Sequence, residues 1–193
     1  MIKHRALTVA IDANILLLAK GIKLLVLDVD GVLTDGKLYF GNNNEELKCF
    51  NIADGLGIKL LQDQGIQVAI ITGRNSNIVE RRAEELSIKE VIQGREDKLS
   101  ALHELLKKTG ITLQQTAYMG DDLPDLSAIQ SVNLGTTVAN GNADVRQAAD
   151  WTSKKNGGEG AVRELAELIL YANDLYEKSI DAFRTKTQSI KHF

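Results

Sequence analysis

Residues 23–36 read KLLVLDVDGVLTDG, an apolar run rich in leucine and valine that ends in acidic residues and a glycine. The part from Lys23 to Val29 predicts a buried strand, because short continuous apolar runs are typical of strands covered on both faces. Asp28 and Asp30 lie at the end of this run. The stretch therefore predicts the first strand of a parallel sheet, with carboxylates at its exit.

The rest of the chain alternates short apolar runs with helical stretches, which is typical of βα units. Further strands are predicted at 67–71, 91–92, 115–119 and 132–138, and helices at 53–64, 76–86, 98–109, 125–130 and 159–176. Residues 36–50 predict a β-hairpin, because the turn residues 41–44 separate two strand-like arms. We expect an α/β fold, a Rossmann-like doubly wound parallel sheet from which the hairpin protrudes.

The bulk properties favour a single domain over residues 1–193, since 44% of the residues are hydrophobic and 25% are charged. The formal net charge of -3 gives no indication of binding to nucleic acid or to a membrane surface. Residues 1–20 predict an N-terminal amphipathic helix that is too short to span a bilayer and lacks a cleavage site. Residues 177–193 are expected to form a C-terminal tail. We therefore expect a cytoplasmic location.

Polar clusters follow other strands as well. Thr72-Gly73-Arg74 follows the second strand of the sheet, Lys98 begins a helix, and GDDLPD at 120–125 follows a further strand. Taken singly, Thr72-Gly73-Arg74 is better explained as a helix cap and Lys98 as a solvated lysine, and Asp121-Asp122 is explained equally well as a capping pair. Because ligands bind at the carboxyl ends of parallel strands, however, we expect all of them to meet at one edge of the sheet.

Carboxylates crowded at one edge repel each other, and magnesium relieves that repulsion because it prefers oxygen ligands. With Lys98, the Thr72 hydroxyl and backbone N–H groups around Gly31, such a site would attract phosphate. An ionised aspartate such as Asp28 is then a competent nucleophile, and Asp30 can serve as general acid and base. The sequence thus indicates a magnesium-dependent phosphatase.

In this order the motifs DxDGVxTDG, TGR, Lys98 and GDDxxD resemble the haloacid-dehalogenase-like phosphatase superfamily. Residues 23–170 resemble more closely its capless branch, the 3-deoxy-D-manno-octulosonate 8-phosphate phosphatases, which make a lipopolysaccharide sugar. The stretches that carry this resemblance are LDVDGVLTDG (27–36), FN (50–51), DGLGIK (54–59), IITGR (70–74), GDDLPDL (120–126) and GGEGAVRE (157–164).

The resemblance implies a role for each site residue. Asp28 would be the nucleophile and a magnesium ligand, and Asp30 would be the general acid and base, with its backbone carbonyl on the metal. The remaining metal and phosphate contacts are implied for Asp121, for Asp122 and Asp125 in support, and for Thr72 and Lys98. Contacts with the sugar acid are implied for Asp30, Asn51, Asp54, Gly55, Lys59, Arg74, Arg82 and Lys98.

The resemblance also implies a homotetramer, because in this branch the hairpin replaces a cap domain and a neighbouring subunit helps to close each site. The expected reaction is hydrolysis of 3-deoxy-D-manno-octulosonate 8-phosphate through an aspartyl-phosphate. A related phosphatase acting on a nine-carbon sugar-acid 9-phosphate is an alternative, as is a non-catalytic sugar-binding or assembly subunit. A phosphomutase would need a larger cap than the segment between Gly36 and Thr72 allows.

Overall fold

The computed structural model describes residues 11–43 and 45–188, and its centre is a six-stranded parallel sheet. The strands are β1 (Leu24–Leu27), β2 (Tyr39–Phe40), β3 (Glu46–Leu47), β4 (Gln67–Ile71), β5 (Glu90–Ile92), β6 (Thr116–Met119), β7 (Leu134–Thr137) and β8 (Trp151–Thr152). The sheet has the order β5-β4-β1-β6-β7-β8, whereas β2 and β3 form a separate antiparallel pair. The predicted parallel α/β fold is confirmed.

Helices cover both faces of the sheet. They are α1 (Ala13–Ala19), α2 (Ile52–Asp63), α3 (Asn77–Glu85), α4 (Lys98–Thr109), α5 (Leu126–Ser131), α6 (Ala143–Ala148), α7 (Ala161–Ala172) and α8 (Tyr176–Gln188). Because side chains alternate along a strand, β1 sends Leu25 and Leu27 into a core with α2 and α7. It sends Leu24 and Val26 into a second core with α4 and α5. This two-sided burial explains the uninterrupted apolar run of β1.

The hairpin has shorter strands than the sequence predicts. Tyr39 pairs with Leu47 and Phe40 with Glu46, so that each strand has two residues. Among the described residues from 36 to 71, the secondary structure consists of this hairpin, α2 and β4, which leaves no room for a cap domain. The edge of the sheet is therefore open where a cap would otherwise cover it.

The termini differ from the prediction in two respects. The helix predicted over 159–176 ends at Ala172, because Asp174 has a positive φ of 58° and the chain turns there before α8 begins. Residues 177–188 of the predicted tail are therefore helical. The N-terminal helix predicted over 1–20 is observed as Ala13–Ala19, and residues 1–10 lie outside the described part of the chain.

Two short elements were not predicted, α6 and β8, because six-residue and two-residue segments carry little periodic signal.

Asn173 also has a role that the sequence did not indicate. Its side-chain amide donates to the Ala19 carbonyl and accepts from the Gly21 N–H, which fastens α1 to the end of α7. Within the described residues, no helix has the length and apolar character needed to cross a membrane.

Candidate active site

A cavity of about 310 Å³ opens at the carboxyl edge of the sheet. It is lined by residues that follow β1, β4 and β6, which is possible because β1 pairs with β4 on one side and with β6 on the other. The lining residues are Asp28, Asp30, Gly36, Thr72, Gly73, Arg74, Glu96, Lys98, Asp121, Asp122, Pro124 and Asp125. All the predicted metal ligands and phosphate contacts are thus brought together in one cavity.

Asp28 lies at the bottom of this cavity with its side chain 9% exposed. Its Oδ2 atom is 2.8 Å from the Lys98 ammonium, whereas its Oδ1 atom is buried and accepts no hydrogen bond. Burial and the nearby Asp125 raise the pKa of Asp28 to about 6, although Lys98 opposes this rise. One oxygen is therefore held in place and the other is available to a ligand or a reacting atom.

Asp125 organises the neighbouring groups. Its Oδ1 accepts hydrogen bonds from the Lys98 ammonium at 2.7 Å and from the Tyr118 hydroxyl at 2.8 Å. Its Oδ2 accepts from the backbone N–H groups of Asp121 and Asp122. Because Asp125 is only 1% exposed and has four donors, it fixes both Lys98 and the loop that carries Asp121.

Three carboxylates form a site that fits a divalent cation. Asp28, Asp121 and Asp125 each offer an oxygen atom, and these atoms lie within 4.8 Å of one another. Burial and the charges of Asp28 and Asp125 raise the pKa of Asp121 to about 7. Clustered oxygen donors with an unbonded Asp28 oxygen suit magnesium, because its charge removes the repulsion that raises these pKa values.

The other two predicted metal residues contribute differently. The carboxylate of Asp122 accepts from the Leu123 N–H and from the Asn142 amide, outside the three-carboxylate group. The Asp30 carboxylate likewise lies outside that group and forms an ion pair with Lys48. Both side chains therefore border the cation site without belonging to it.

Gly31 makes the close approach of the two acidic loops possible. Its φ of 93° is in the left-handed region, and a Cβ atom there would lie 2.0 Å from the Asp121 Oδ2 atom. Any larger residue would displace the carboxylate that completes the three-carboxylate group. The glycine after the two aspartates of the first motif is thus required by geometry.

Thr72 and Arg74 enter the cavity from the end of β4. Thr72 is 2% exposed, and its backbone N–H donates to the Ile92 carbonyl, which holds the loop against β5. The Arg74 side chain is 47% exposed, with its guanidinium 4.0 Å from Asp30 and 3.8 Å from Glu46. Arg74 is therefore a cation at the cavity mouth that can still reach a ligand.

Sequence reasoning missed Lys48 and Glu46. The Lys48 ammonium bonds the Asp30 carboxylate and lies 3.6 Å from Glu46, and its side chain is 1% exposed. The two residues are two positions apart at β3, which places them on the same face of the hairpin. That spacing was the only available signal, because nothing in the sequence shows which face is turned toward the catalytic loop.

Three of the predicted sugar-acid contacts, Asp30, Arg74 and Lys98, line the cavity, but Asp54 does not. Asp54 is 1% exposed, and its two oxygens accept from the backbone N–H groups of Gly160 and Arg163. Burial raises its pKa despite these bonds. Its carboxylate holds α2 to the start of α7 in this subunit, and its contact with the sugar acid stays a prediction.

Arg82, Asn51 and Gly55 form a second structural group. Arg82 donates to the Asn51 carbonyl and lies 5.7 Å above the Phe50 ring, while the Asn51 side chain caps α2. Gly55 leaves room for the arginine, since a Cβ atom there would lie 2.5 Å from its guanidinium. Within this subunit, these residues fasten α3 to the end of the hairpin and do not line the cavity.

Lys59 lies outside the cavity that holds Asp28. It lines a separate cavity of about 590 Å³ beside Gly65 and Glu90, at the amino ends of β4 and β5. That edge is opposite to the one where Asp28 lies. Lys59 therefore does not line the cavity that holds Asp28, and its contact with the substrate stays a prediction.

Comparison with known proteins agrees with this geometry. Residues 87–165 match the family described as haloacid dehalogenase-like hydrolases. The chain is 45% identical to the 3-deoxy-D-manno-octulosonate 8-phosphate phosphatase KdsC of Escherichia coli K12 over 162 residues, which are 84% of this chain and 86% of that protein. This chain belongs to the 3-deoxy-D-manno-octulosonate 8-phosphate phosphatase family. The resemblance seen in the sequence motifs is confirmed.

Solved structures of the 3-deoxy-D-manno-octulosonate 8-phosphate phosphatase family have the same fold. The enzyme of Moraxella catarrhalis, in complex with magnesium ion, phosphate ion and KDO, has a TM-score of 0.86 and 48% identity. It covers 88% of this chain, and the match includes 97% of that chain. The Yersinia pestis enzyme has a TM-score of 0.85 and 44% identity, with 86% and 90% of the two chains covered.

Proposed function

We propose that this protein hydrolyses 3-deoxy-D-manno-octulosonate 8-phosphate to the free sugar acid and inorganic phosphate, with magnesium as its cofactor. The observation that carries this proposal is the buried Asp28 carboxylate. One of its oxygens is held by Lys98 and the other is unbonded, within reach of Asp121 and Asp125. Because the chain belongs to a phosphatase family, we assign hydrolysis of a phosphate ester to this arrangement of side chains. The product would enter the synthesis of a lipopolysaccharide precursor.

In the first half of the reaction, a carboxylate oxygen of Asp28 attacks phosphorus and the ester P–O bond breaks. Lys98 keeps Asp28 oriented through Oδ2 and offers positive charge to the transferring phosphoryl group. Asp30, which borders the same cavity, gives its proton to the leaving alkoxide of the sugar. The outcome is an aspartyl-phosphate on Asp28 and a released sugar acid.

In the second half, the Asp30 carboxylate takes a proton from water, whose oxygen attacks phosphorus. The bond between phosphorus and Asp28 breaks, and phosphate leaves. The hydroxyl of Thr72 lines the cavity and can donate to a phosphoryl oxygen. When bound by Asp28 and Asp121, with the Asp30 backbone carbonyl and Asp122 and Asp125 in support, magnesium supplies Lewis-acid stabilisation of charge on the phosphoryl group.

Arg74 is proposed to bind the carboxylate of the sugar acid. Its guanidinium stands at the cavity mouth and is half exposed, whereas Lys98 is buried and committed to two carboxylates. A guanidinium offers paired N–H donors that match a carboxylate. Recognition of the sugar is thus separated from the phosphoryl chemistry, which lies deeper in the cavity.

We also propose that the working form is a homotetramer in the cytoplasm. Support for assembly comes from the hairpin, which exposes Leu38, Tyr39, Phe40 and Leu47, apolar side chains that a neighbouring subunit would cover. A neighbour would also close the open cavity mouth. The exposed free thiol of Cys49 suits a reducing compartment.

The test is a panel of phosphate esters assayed with magnesium. The panel contains the eight-carbon sugar-acid 8-phosphate, a nine-carbon sugar-acid 9-phosphate and p-nitrophenyl phosphate. We expect phosphate release that chelation of magnesium abolishes, with the highest kcat/KM for the eight-carbon substrate. A higher kcat/KM for the nine-carbon ester would favour the alternative phosphatase, and no release from any ester would leave a binding subunit.

A further inference from the structure

Lys48 is buried in an unexpected place. It follows the short strand β3 of a hairpin whose large apolar side chains Leu38, Tyr39, Phe40 and Leu47 are solvent-exposed, yet its own side chain is only 1% exposed. Burying an ammonium group costs several kcal/mol unless charged partners compensate for the lost hydration. The Lys48 side chain reaches from the hairpin to Asp30, whose negative charge compensates for the lost hydration of the ammonium group.

The partners of Lys48 are the Asp30 Oδ1 atom, which it bonds directly, and the Glu46 Oε1 atom at 3.6 Å. The Asp30 Oδ2 atom is left facing Arg74 at 4.0 Å, on the cavity side. One carboxylate oxygen is thus held by the hairpin and the other is directed toward the cavity. Asp28 is arranged in the same way, because Lys98 holds its Oδ2 atom and its Oδ1 atom accepts no hydrogen bond.

Glu46 anchors the hairpin to the start of α3. Its Oε2 atom accepts a hydrogen bond from the Ser76 hydroxyl at the start of α3. Its Oε1 atom is buried and accepts no hydrogen bond among the described residues, but it lies 3.6 Å from the Lys48 ammonium and 3.8 Å from the Arg74 guanidinium. The ammonium of Lys48 is therefore positioned from one side by Glu46 and presented to Asp30 on the other.

We propose that Lys48 is a positioning residue for Asp30, which it orients to deliver a proton to the leaving oxygen of the substrate. This rests on the proposed function, in which Asp30 is the general acid. As the ester P–O bond breaks, the proton passes from Asp30 to the leaving alkoxide. The new Asp30 carboxylate stays on the Lys48 ammonium, which keeps its own protons throughout. In the second half, the same carboxylate takes a proton from water.

The proposal predicts an effect that depends on the leaving group. A sugar alkoxide must be protonated as it departs, whereas p-nitrophenolate is stable without a proton. General acid catalysis contributes typically about 10²- to 10⁴-fold to such a step. Losing the orientation of the acid should therefore slow the first half of the reaction, which kcat/KM reports, strongly for alkyl phosphates and leave it nearly unaffected for the aryl ester.

The experiment compares kcat/KM, which reports the steps up to departure of the leaving group, for the eight-carbon sugar-acid 8-phosphate and for p-nitrophenyl phosphate at saturating magnesium. We expect Lys48→Met to lower kcat/KM at least about ten-fold more on the sugar phosphate than on the aryl ester. Lys37→Met is the matched control, because Lys37 belongs to the same hairpin but is 70% exposed and pairs only with Asp35 among the described contacts. It should leave both rates unchanged.

Asp30→Asn separates the two possible failures. If Asp30→Asn lowers kcat/KM equally for the two esters, the assignment of Asp30 as the acid is wrong and the proposed mechanism fails. If Asp30→Asn is selective but Lys48→Met lowers both rates equally or neither rate, only the role of Lys48 is refuted. The activity on the aryl ester also reports on folding, because a misfolded variant would lose it.

Discussion

Asp28→Asn tests the electrostatic description of the site as well as its chemistry. The substitution keeps the shape of the side chain and removes its charge. Turnover should fall to the background of the assay for every phosphate ester, since an amide cannot form the acyl phosphate. Near-native turnover by this variant would refute the assignment of Asp28 as nucleophile.

The same substitution should stabilise the metal-free protein. Burial and Asp125 raise the Asp28 pKa from 3.8 to about 6. At about 1.4 kcal/mol for each unit of pKa, the ionised carboxylate destabilises the metal-free fold by about 3 kcal/mol at neutral pH. This is an upper limit for the gain in Asp28→Asn, because Lys98 loses one of its two partners. At about 2–4 °C for each kcal/mol, the melting temperature should rise by several degrees.

The pH dependence has a definite sign. Because the folded state favours the protonated carboxyl, the contribution of Asp28 to wild-type stability is fully present below pH 3.8 and is lost as the pH rises to about 6. The difference in the free energy of unfolding between Asp28→Asn and the wild type should therefore be small at pH 3.8. It should widen up to about pH 6 and stay constant above that pH. Thermal unfolding in a metal chelator measures this difference.

Magnesium provides the second arm of this experiment. Saturating magnesium should raise the melting temperature of the wild-type protein more than that of Asp28→Asn, because the variant has lost one anionic ligand. A variant less stable than the wild type in chelator at neutral pH would contradict the account of a crowded, metal-free carboxylate site. A stability difference that does not change with pH would contradict it as well.

Three further predictions concern other parts of the molecule. Arg74→Ala should lower kcat/KM for the sugar-acid phosphate by about 10- to 100-fold, the equivalent of a charged hydrogen bond, and spare p-nitrophenyl phosphate; equal losses on both esters would exclude a carboxylate contact. Gly157→Ala should destabilise the fold by about 1–3 kcal/mol in chemical denaturation, because the new Cβ would lie 1.6 Å from the Gly31 carbonyl oxygen. Unchanged stability would show that the two loops are not in contact. Phe40→Ser should shift the proposed tetramer toward smaller species in light scattering, whereas Leu17→Ser, an equally exposed change on α1, should not.

Much of the site was predictable because its signals are local. Asp28 follows an apolar run, and Thr72 and Asp121 follow two others, so the rule that parallel strands end at one edge was sufficient to bring them together. The fold and the family could be predicted for the same reason, and both predictions are confirmed. Apolar periodicity and strand exits depend on neighbouring residues, and these are visible in the sequence.

What the tertiary structure alone decided is which partner each polar side chain meets. Asp54 and Arg82 have the residue types of ligand contacts, but packing of α2 against α7 and α3 uses them to hold the chain together. Lys48 has the type of a solvated lysine, yet the hairpin turns it inward onto Asp30. Sequence spacing fixes the strand on which a side chain lies. Its direction and its partner depend on contacts between distant segments, which only the folded chain brings together.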